Sequence, residues 1–197
     1  MPVTTIEWVG QKIRMIDQTQ LPLKLVYLDI DQVETLGEAI RNLRVRGAPA
    51  IGVAAAFGIL LGIQHHADED EQGFFQKLHE TAEYLRRTRP TAVNLAWALD
   101  QMLAVAHAQK GKPVAEIKQA LLQKAKDIYE QDRQTNRKLA AHGAALVPEN
   151  AQIITHCNTG ALATVDYGTA LGVIFTAHAQ GKKLHVWVDE TRPLLQG

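Results

Sequence analysis

The single cysteine of the chain, Cys157, lies in the segment IITHCNTGA, residues 153–161. An apolar run precedes it and an NTG turn follows, so the pattern predicts a cysteine at the carboxyl end of a strand. Ligands bind at this edge of open α/β sheets, and the N-terminus of a following helix would favour the nucleophilic thiolate. His156 is a poor partner unless the strand has already ended, because neighbouring strand residues point to opposite faces. Free cysteines are also among the most buried residues, so this segment alone leaves both a reactive and an inert Cys157 open.

A second segment that could carry chemistry is RVRGAPAIG, residues 44–52. Proline is favoured in the first turn of a helix because it has no N–H to leave unpaired, so Pro49 predicts a helix that begins at Ala48 or Pro49. The free N–H groups of that turn, the close approach that Gly47 allows and the permanent charge of Arg46 could together hold a phosphate. An ordinary helix start beside a surface arginine explains the same residues, so the segment leaves both interpretations open.

Two further arginine–proline junctions lie at boundaries between predicted elements, at Arg89 and at Arg192. An arginine whose backbone is fixed at such a boundary can project into a cleft. It can equally be a structural or solvated residue, and the spacing does not choose between these roles. The acidic residues available to pair with Arg192 are Asp166, Asp189 and Glu190.

The part of the chain before residue 148 is predicted to be mainly helical. The apolar pieces TIEWV and KLVYLDI, residues 5–9 and 24–30, predict strands joined through the turn DQTQLP. The pair Thr35 and Glu38 matches a capping box at a helix start. Apolar residues at helical spacing then predict helices over about residues 50–64, 74–87 and 91–109, and one long helix from Val114 to near Pro148.

Residues after 150 follow a different pattern. The pattern predicts two strands, AQIITHC and KLHVWVDE. The segment between them, residues 164–182, predicts a helix that ends at Gly181. We therefore expect an α/β chain: a mainly helical N-terminal domain with a short β-rich start, residues 1–147, and then the first βαβ part of a Rossmann-like doubly wound domain, residues 148–197. A two-stranded parallel sheet exposes its edges and much apolar surface, so we expect this second domain to be incomplete.

Composition excludes several classes of function. Lysine plus arginine equals aspartate plus glutamate, at 21 each, so we expect no nucleic-acid partner and no acidic membrane surface. The apolar run from Ala48 to Ile63 is shorter than the roughly 20 residues that cross a bilayer.

One cysteine forms no internal disulfide, and the N-terminus lacks a signal-peptide pattern, which favours the cytoplasm. The histidines of HHADEDEQG lack a metal-ligand spacing, and no nucleotide-binding motif is present, so we expect no metal and no cofactor.

Five segments together resemble one family. In chain order they are VRGAPAIGVAAAFG, RPTAVNLAWAL, THCNTGALAT, YGTALGVI and ETRPLLQG. They resemble the methylthioribose-1-phosphate isomerases, which belong with the initiation factor 2B alpha, beta and delta subunits. The resemblance implies a helical domain followed by a Rossmann-like domain, and conversion of 5-methylthioribose 1-phosphate to 5-methylthioribulose 1-phosphate in methionine salvage. It also implies a homodimer when the protein is full length, and it identifies Cys157 as catalytic. The substrate-binding positions that it implies are Arg46, Gly47, Ala48, Arg89 and Gln196.

The resemblance also implies groups that this chain does not contain. In the family an aspartate in the later part of the Rossmann-like domain donates a proton, and an Asn–Lys pair beyond it contacts substrate. We expect these positions to lie beyond Gly197 and residues 1–197 alone to show no isomerase turnover. Two alternatives stay open: a ribose-1,5-bisphosphate isomerase, and a non-catalytic regulatory protein like the initiation factor subunits.

Overall fold

The computed structural model describes residues 3–197, and the chain opens with a small antiparallel sheet. Its strands are β1 (Ile6–Val9), β2 (Lys12–Ile16) and β3 (Tyr27–Ile30), in the order β1-β2-β3. Ile6 pairs with Met15, and Ile13 pairs with Ile30; all four side chains are buried, because alternate residues of each strand face the core. The predicted β-rich start is confirmed.

Five helices follow the sheet. They are α1 (Val33–Arg41), α2 (Ala48–Ile63), α3 (Glu71–Arg86), α4 (Val93–Ala108) and α5 (Val114–Leu146). The apolar α2 is buried nearly all round and is surrounded by the other four, which explains why its sequence carries no charge. Within residues 3–197, no helix combines the length and the apolar character needed to cross a membrane.

Small residues allow the neighbouring helices to approach α2 closely. A Cβ atom added at Gly58 would lie 2.6 Å from a methyl carbon of Leu36 on α1 and 2.8 Å from one of Leu85 on α3. One added at Gly62 would lie 2.9 Å from Cβ of Thr81. The two glycines therefore serve close packing inside the core of the helical part.

The predicted capping box is wrong. Helix α1 begins two residues earlier, at Val33, with Gln32 as its N-cap and no side-chain cap. The Glu38 carboxylate instead accepts hydrogen bonds from Arg44 Nε at 2.9 Å and from Asn42 Nδ2 at 2.6 Å. A charge-assisted contact with a guanidinium is stronger than a bond to a helix N–H, so Glu38 turns toward the segment that leads into α2.

The last part of the chain is the predicted βαβ unit. Strands β4 (Ala151–His156) and β5 (Leu184–Asp189) are parallel and flank α6 (Ala170–Ala179), which packs on α5. Ile154 and Trp187 are register partners and both are exposed, as expected for an open two-stranded sheet. The proposed division near residue 147 remains a prediction.

The helix of this unit is shorter than predicted, because residues 164–169 form an irregular segment. A short 3-10 helix spans Ala161–Ala163, and the chain then binds other parts of the molecule. Val165 N–H donates to Asp132 of α5 at 2.8 Å, and its carbonyl accepts from Thr5 N–H at 2.7 Å. Gly168, with φ +91°, lies near the end of the segment, before Thr169, the N-cap of α6. These long-range bonds satisfy the backbone groups that a helix would have paired internally.

Candidate active site

The N-terminus of α2 is built as its sequence predicts. The helix begins at Ala48, Pro49 lies in its first turn, and Gly47 is the N-cap with φ +96°. The N-cap offers no side-chain hydrogen bond to the first turn, so the free N–H groups remain available to a ligand. Gly47 lies directly against Ala163: an added Cβ atom would sit 2.5 Å from the Ala163 carbonyl oxygen. The absence of a side chain at Gly47 therefore lets α2 meet the segment that follows Cys157.

Arg46 is a buried cation with neutral partners. Its side chain is 7% exposed, Nε donates to Gln18 Oε1 at 3.3 Å, and one terminal nitrogen donates to the carbonyls of Gln18 at 3.2 Å and Leu195 at 3.1 Å. Within residues 3–197 it forms no salt bridge. Burial lowers the pKa of the Arg46 guanidinium, while the charges of Cys157 and Glu190 act in the opposite direction. A buried charge without a counter-ion is costly, so this position suits an anion.

All five substrate-binding positions implied by the family resemblance line one cavity of about 410 Å³. Arg89, which precedes α4, and Gln196, near the end of the chain, line the cavity together with the start of α2. The other lining residues are Leu43, Ile51, Thr91, Ala92, Val93 and Asn94. The cavity thus combines two guanidinium groups with a helix N-terminus, a donor set that fits a phosphate.

Cys157 adjoins this cavity through Gln196. Its thiol is half-buried and donates to Gln196 Oε1 at 3.7 Å, and both residues line a second cavity of about 250 Å³. The backbone of Cys157 lies in the left-handed region, with φ +63°, just after β4 ends. His156, the last residue of β4, is the register partner of Asp189, and its Nδ1 atom lies 3.7 Å from the Asp189 carboxylate. The alternation of strand side chains therefore does not extend to Cys157, which lies beyond the strand. The expected helix N-terminus beside the thiol is absent, because α6 begins only at Ala170.

Glu190 holds the segment that carries Gln196. Its Oε1 atom accepts hydrogen bonds from the backbone N–H groups of Thr191 at 2.9 Å, Gln196 at 2.6 Å and Gly197 at 2.5 Å. These bonds, with that of Gly197 first, lower the pKa of the Glu190 carboxyl. The anion of Glu190 therefore fixes the loop that brings Gln196 to Cys157.

This arrangement predicts a pH dependence. A lowered pKa means that the loop holds at neutral pH and loosens as the pH falls through that pKa, which lies below the ordinary glutamate range. We expect the amide protons of Gln196 and Gly197 to move toward their random-coil chemical shifts as the pH falls through this pKa, as NMR titration would measure. In Glu190→Leu, which removes the acceptor, the same amides should already be free at pH 7, whereas Glu149→Leu, an exposed control, should leave them unchanged. Loop amides of Glu190→Leu that match those of the unaltered chain at pH 7 would contradict this.

None of the three acidic residues available to Arg192 forms a salt bridge with it within residues 3–197. Asp166 instead accepts hydrogen bonds from Arg133 and Arg137 of α5, both at 2.9 Å. Arg192 is exposed and donates to the carbonyl of Thr191. It is therefore not part of either cavity.

Two residues of the site were missed. Gln18 contacts Arg46, whereas its sequence predicts only a turn, and Asn94 lines the cavity from the first turn of α4. Asn94 lies in the RPTAVNLAWAL segment, so its position beside Arg89 was available as a signal. Gln18 had no comparable signal, because its partners are distant in the sequence.

The fold and the site define an α/β protein in which a helical part precedes a Rossmann-like βαβ unit, with a helix N-terminus and a buried arginine next to a cysteine. The chain belongs to the initiation factor 2 subunit family, whose model matches residues 44–197.

Relatives within this family are close in sequence and structure. The methylthioribose-1-phosphate isomerase of Desulforamulus reducens is 47% identical over 99% of this chain and 56% of its own length. The crystal structure of 5-methylthioribose 1-phosphate isomerase from Pyrococcus horikoshii matches with a TM-score of 0.93 at 39% identity, over 98% of this chain and 54% of that one. A crystal structure of the translation initiation factor eIF-2B subunit delta from A. fulgidus matches with a TM-score of 0.87 at 42% identity, over 99% of this chain and 56% of that one. The chain thus spans little more than half the length of these relatives.

Proposed function

We propose that this chain carries the phosphate-binding part and the cysteine of the active site of a methylthioribose-1-phosphate isomerase. The observation that carries the proposal is Arg46, a buried guanidinium without a carboxylate partner, in a cavity with the N-terminus of α2. A phosphate would supply the missing negative charge. Arg89 and the backbone of Gly47 and Ala48 complete its donors.

The reaction defines what the neighbouring groups must do. Substrate and product are isomers, so no oxidant or reductant is consumed: the ring oxygen gains a proton, the C2 hydroxyl loses one, and a hydrogen moves from C2 to C1. The phosphate at C1 stays attached and anchors the sugar in the cavity. Cys157, which adjoins that anchor through Gln196, then serves the reacting carbons by handling a proton or by stabilising the transition state. Proton and hydride routes between C2 and C1 both fit this placement.

An adjoining cavity supports a methylthio sugar over a bisphosphate. It has a volume of about 340 Å³, shares Asn94 with the phosphate cavity, and is lined by the apolar side chains of Val53, Trp97, Ile128 and Leu139. Asp132 also lines it, and no lysine or arginine does among the described residues. A second phosphate would meet a carboxylate there, whereas a methylthio group would bury apolar surface. This favours methylthioribose 1-phosphate over ribose 1,5-bisphosphate.

The similarity to a protein named as an initiation factor subunit raises a non-catalytic, regulatory alternative. A regulatory subunit has no use for a half-buried thiol beside an anion cavity, so the Cys157 arrangement favours an enzyme. We further propose that the complete protein is a cytoplasmic homodimer that acts on a small sugar phosphate. We also propose that residues 1–197 alone lack turnover, because the relatives extend well beyond the matched region.

The phosphate site can be tested on this chain alone, because Cys157 is its single cysteine and reports on the cavity. We expect saturating methylthioribose 1-phosphate to slow alkylation of Cys157 by iodoacetamide about tenfold or more. A bound state favoured over the free state by about 1.4 kcal/mol lowers the reactive, unliganded fraction tenfold. Arg46→Met should abolish this protection, because the buried charge that binds the phosphate is removed. Mass spectrometry of the labelled chain measures the rates.

The matched control is Arg192→Met, which removes an equally charged but exposed side chain. Arg192 lines neither the cavity that contains Arg46 nor the cavity that contains Cys157. This variant should keep the full protection. Equal protection in the Arg46 and Arg192 variants would reject Arg46 as the phosphate ligand. Stronger protection by ribose 1,5-bisphosphate than by methylthioribose 1-phosphate would favour the alternative isomerase.

A further inference from the structure

Gln18 is a fully buried polar residue that the reaction described above does not use. It lies at the start of a short 3-10 helix, Gln18–Gln20, between β2 and β3, and its side chain is 0% exposed. Its backbone N–H donates to the carbonyl of Arg44 at 2.9 Å. Burying an amide side chain is costly unless its polar atoms are paired, so the contacts of Gln18 indicate what it is there to hold.

The side chain of Gln18 joins the two halves of the candidate site. Its Oε1 atom accepts from Arg46 Nε at 3.3 Å, and its main-chain carbonyl accepts from a terminal nitrogen of the same guanidinium at 3.2 Å. Its Nε2 atom donates to the carbonyl of Leu162 at 2.8 Å, in the segment that follows Cys157. One amide group thus fixes the direction of Arg46 and the position of the chain beyond the cysteine.

The neutrality of this amide matters as much as its position. Arg44, two residues before Arg46, is paired with two carboxylates, Asp17 at 2.6 Å and Glu38 at 2.9 Å. Its charge is therefore neutralised within the protein. Arg46 has a partner of similar shape at Gln18, but an uncharged one, so its positive charge stays available to a ligand. A glutamate at position 18 would keep the shape and remove that charge.

We propose that Gln18 is a positioning residue of the sugar-phosphate site, which holds Arg46 in place without neutralising it. This inference rests on the proposed function, because it requires Arg46 to bind the anion. The inference adds that the positive charge of the site is preserved by Gln18, a residue that does not line the cavity.

The effect of the Arg46 charge on the electrostatic potential at Cys157 can be measured in the intact chain with two reagents of similar size. Iodoacetate is an anion and iodoacetamide is neutral, so the ratio of their alkylation rates reports the local potential and cancels changes in exposure. We expect Gln18→Glu at pH 8 to lower this ratio roughly fivefold, the effect of one charge at close range in a partly screened site. Arg46→Met should lower it by a similar factor. Gln20→Glu, an exposed change in the same turn, should leave it within about twofold, as screened surface charges act weakly.

A second variant keeps the inference testable if the buried glutamate does not fold. Gln18→Met keeps a side chain of similar volume at position 18 and leaves Arg46 charged. It removes the side-chain hydrogen bonds of Gln18 to Arg46 and Leu162. We expect it to keep the reagent ratio within about twofold and to lose much of the protection of Cys157 by methylthioribose 1-phosphate, since Arg46 Nε loses its acceptor and the carbonyls of Gln18 and Leu195 hold only one terminal nitrogen. Thermal unfolding of each variant identifies those that fold.

The outcomes separate the two claims. If Arg46→Met lowers the ratio but Gln18→Glu does not, the role of Gln18 is overturned and the anion site stands. Full protection by substrate in a folded Gln18→Met likewise overturns the role of Gln18. If neither Arg46→Met nor Gln18→Glu changes the ratio, the anion site of the proposed function itself is wrong.

Discussion

Cys157→Ser lowers kcat by roughly 10²–10⁴-fold and leaves substrate binding nearly unchanged, if the thiol performs the proton transfer proposed for it. The natural test protein joins residues 1–197 to the part of the Desulforamulus reducens relative beyond the matched region. Serine retains the shape and the hydrogen bond to Gln196, but its hydroxyl has a much higher intrinsic pKa than a thiol. The variant therefore separates the chemistry of the sulfur from its packing. Isomerisation of methylthioribose 1-phosphate and calorimetric binding give the two readouts.

His156→Ser is the matched control, because it changes the adjacent residue to the same side chain. His156 is exposed, lies 3.7 Å from the Asp189 carboxylate, and lines neither the cavity that contains Arg46 nor the cavity that contains Cys157. It should therefore retain activity within about twofold, as surface substitutions generally do. Full activity in Cys157→Ser would reject the catalytic role, and turnover by residues 1–197 alone would reject the need for the further region.

The parts of the site that could be predicted from the sequence are those with a local cause. Gly47 and Pro49 specify the start of α2 through backbone conformation and a missing N–H, so its position followed from the residues themselves. The apolar run AQIITHC likewise predicted β4, although Cys157 itself lies just beyond the strand in the left-handed region. In each case the determining interaction lies within a few residues of the element.

The parts that could not be predicted depend on distant partners. The segment around Val165 has helical spacing, yet its backbone is bound to Thr5 and Asp132, which no local pattern reveals. Glu38 fits a capping box, but Arg44 offers it a stronger contact. Gln18 meets Leu162 and Arg46 only in the folded chain. The sequence therefore predicted which elements carry the site, whereas long-range hydrogen bonds decide how those elements are held together.

Gly47→Ala tests the point at which the two parts of the molecule meet. We expect it to reduce the free energy of unfolding by about 3 kcal/mol or more, because two costs add. The first is backbone strain: a φ of +96° disfavours any residue with a Cβ atom. The second is overlap: that atom would lie 2.5 Å from the Ala163 carbonyl oxygen, in rigid main chain. Urea unfolding followed by circular dichroism measures the change.

Gly181→Ala is the matched control, because Gly181 has φ +91° and nothing within 4 Å of an added Cβ atom. It should carry the backbone strain alone, about 1–2 kcal/mol. The difference between the two variants then gives the cost of separating the start of α2 from Ala163. We also expect Gly47→Ala, but not Gly181→Ala, to lose the protection of Cys157 by methylthioribose 1-phosphate, since relief of the overlap moves the helix N-terminus away from the cysteine segment. Equal losses of stability in the two variants would show that the contact between α2 and Ala163 contributes nothing, and the site would then not depend on the junction at Gly47.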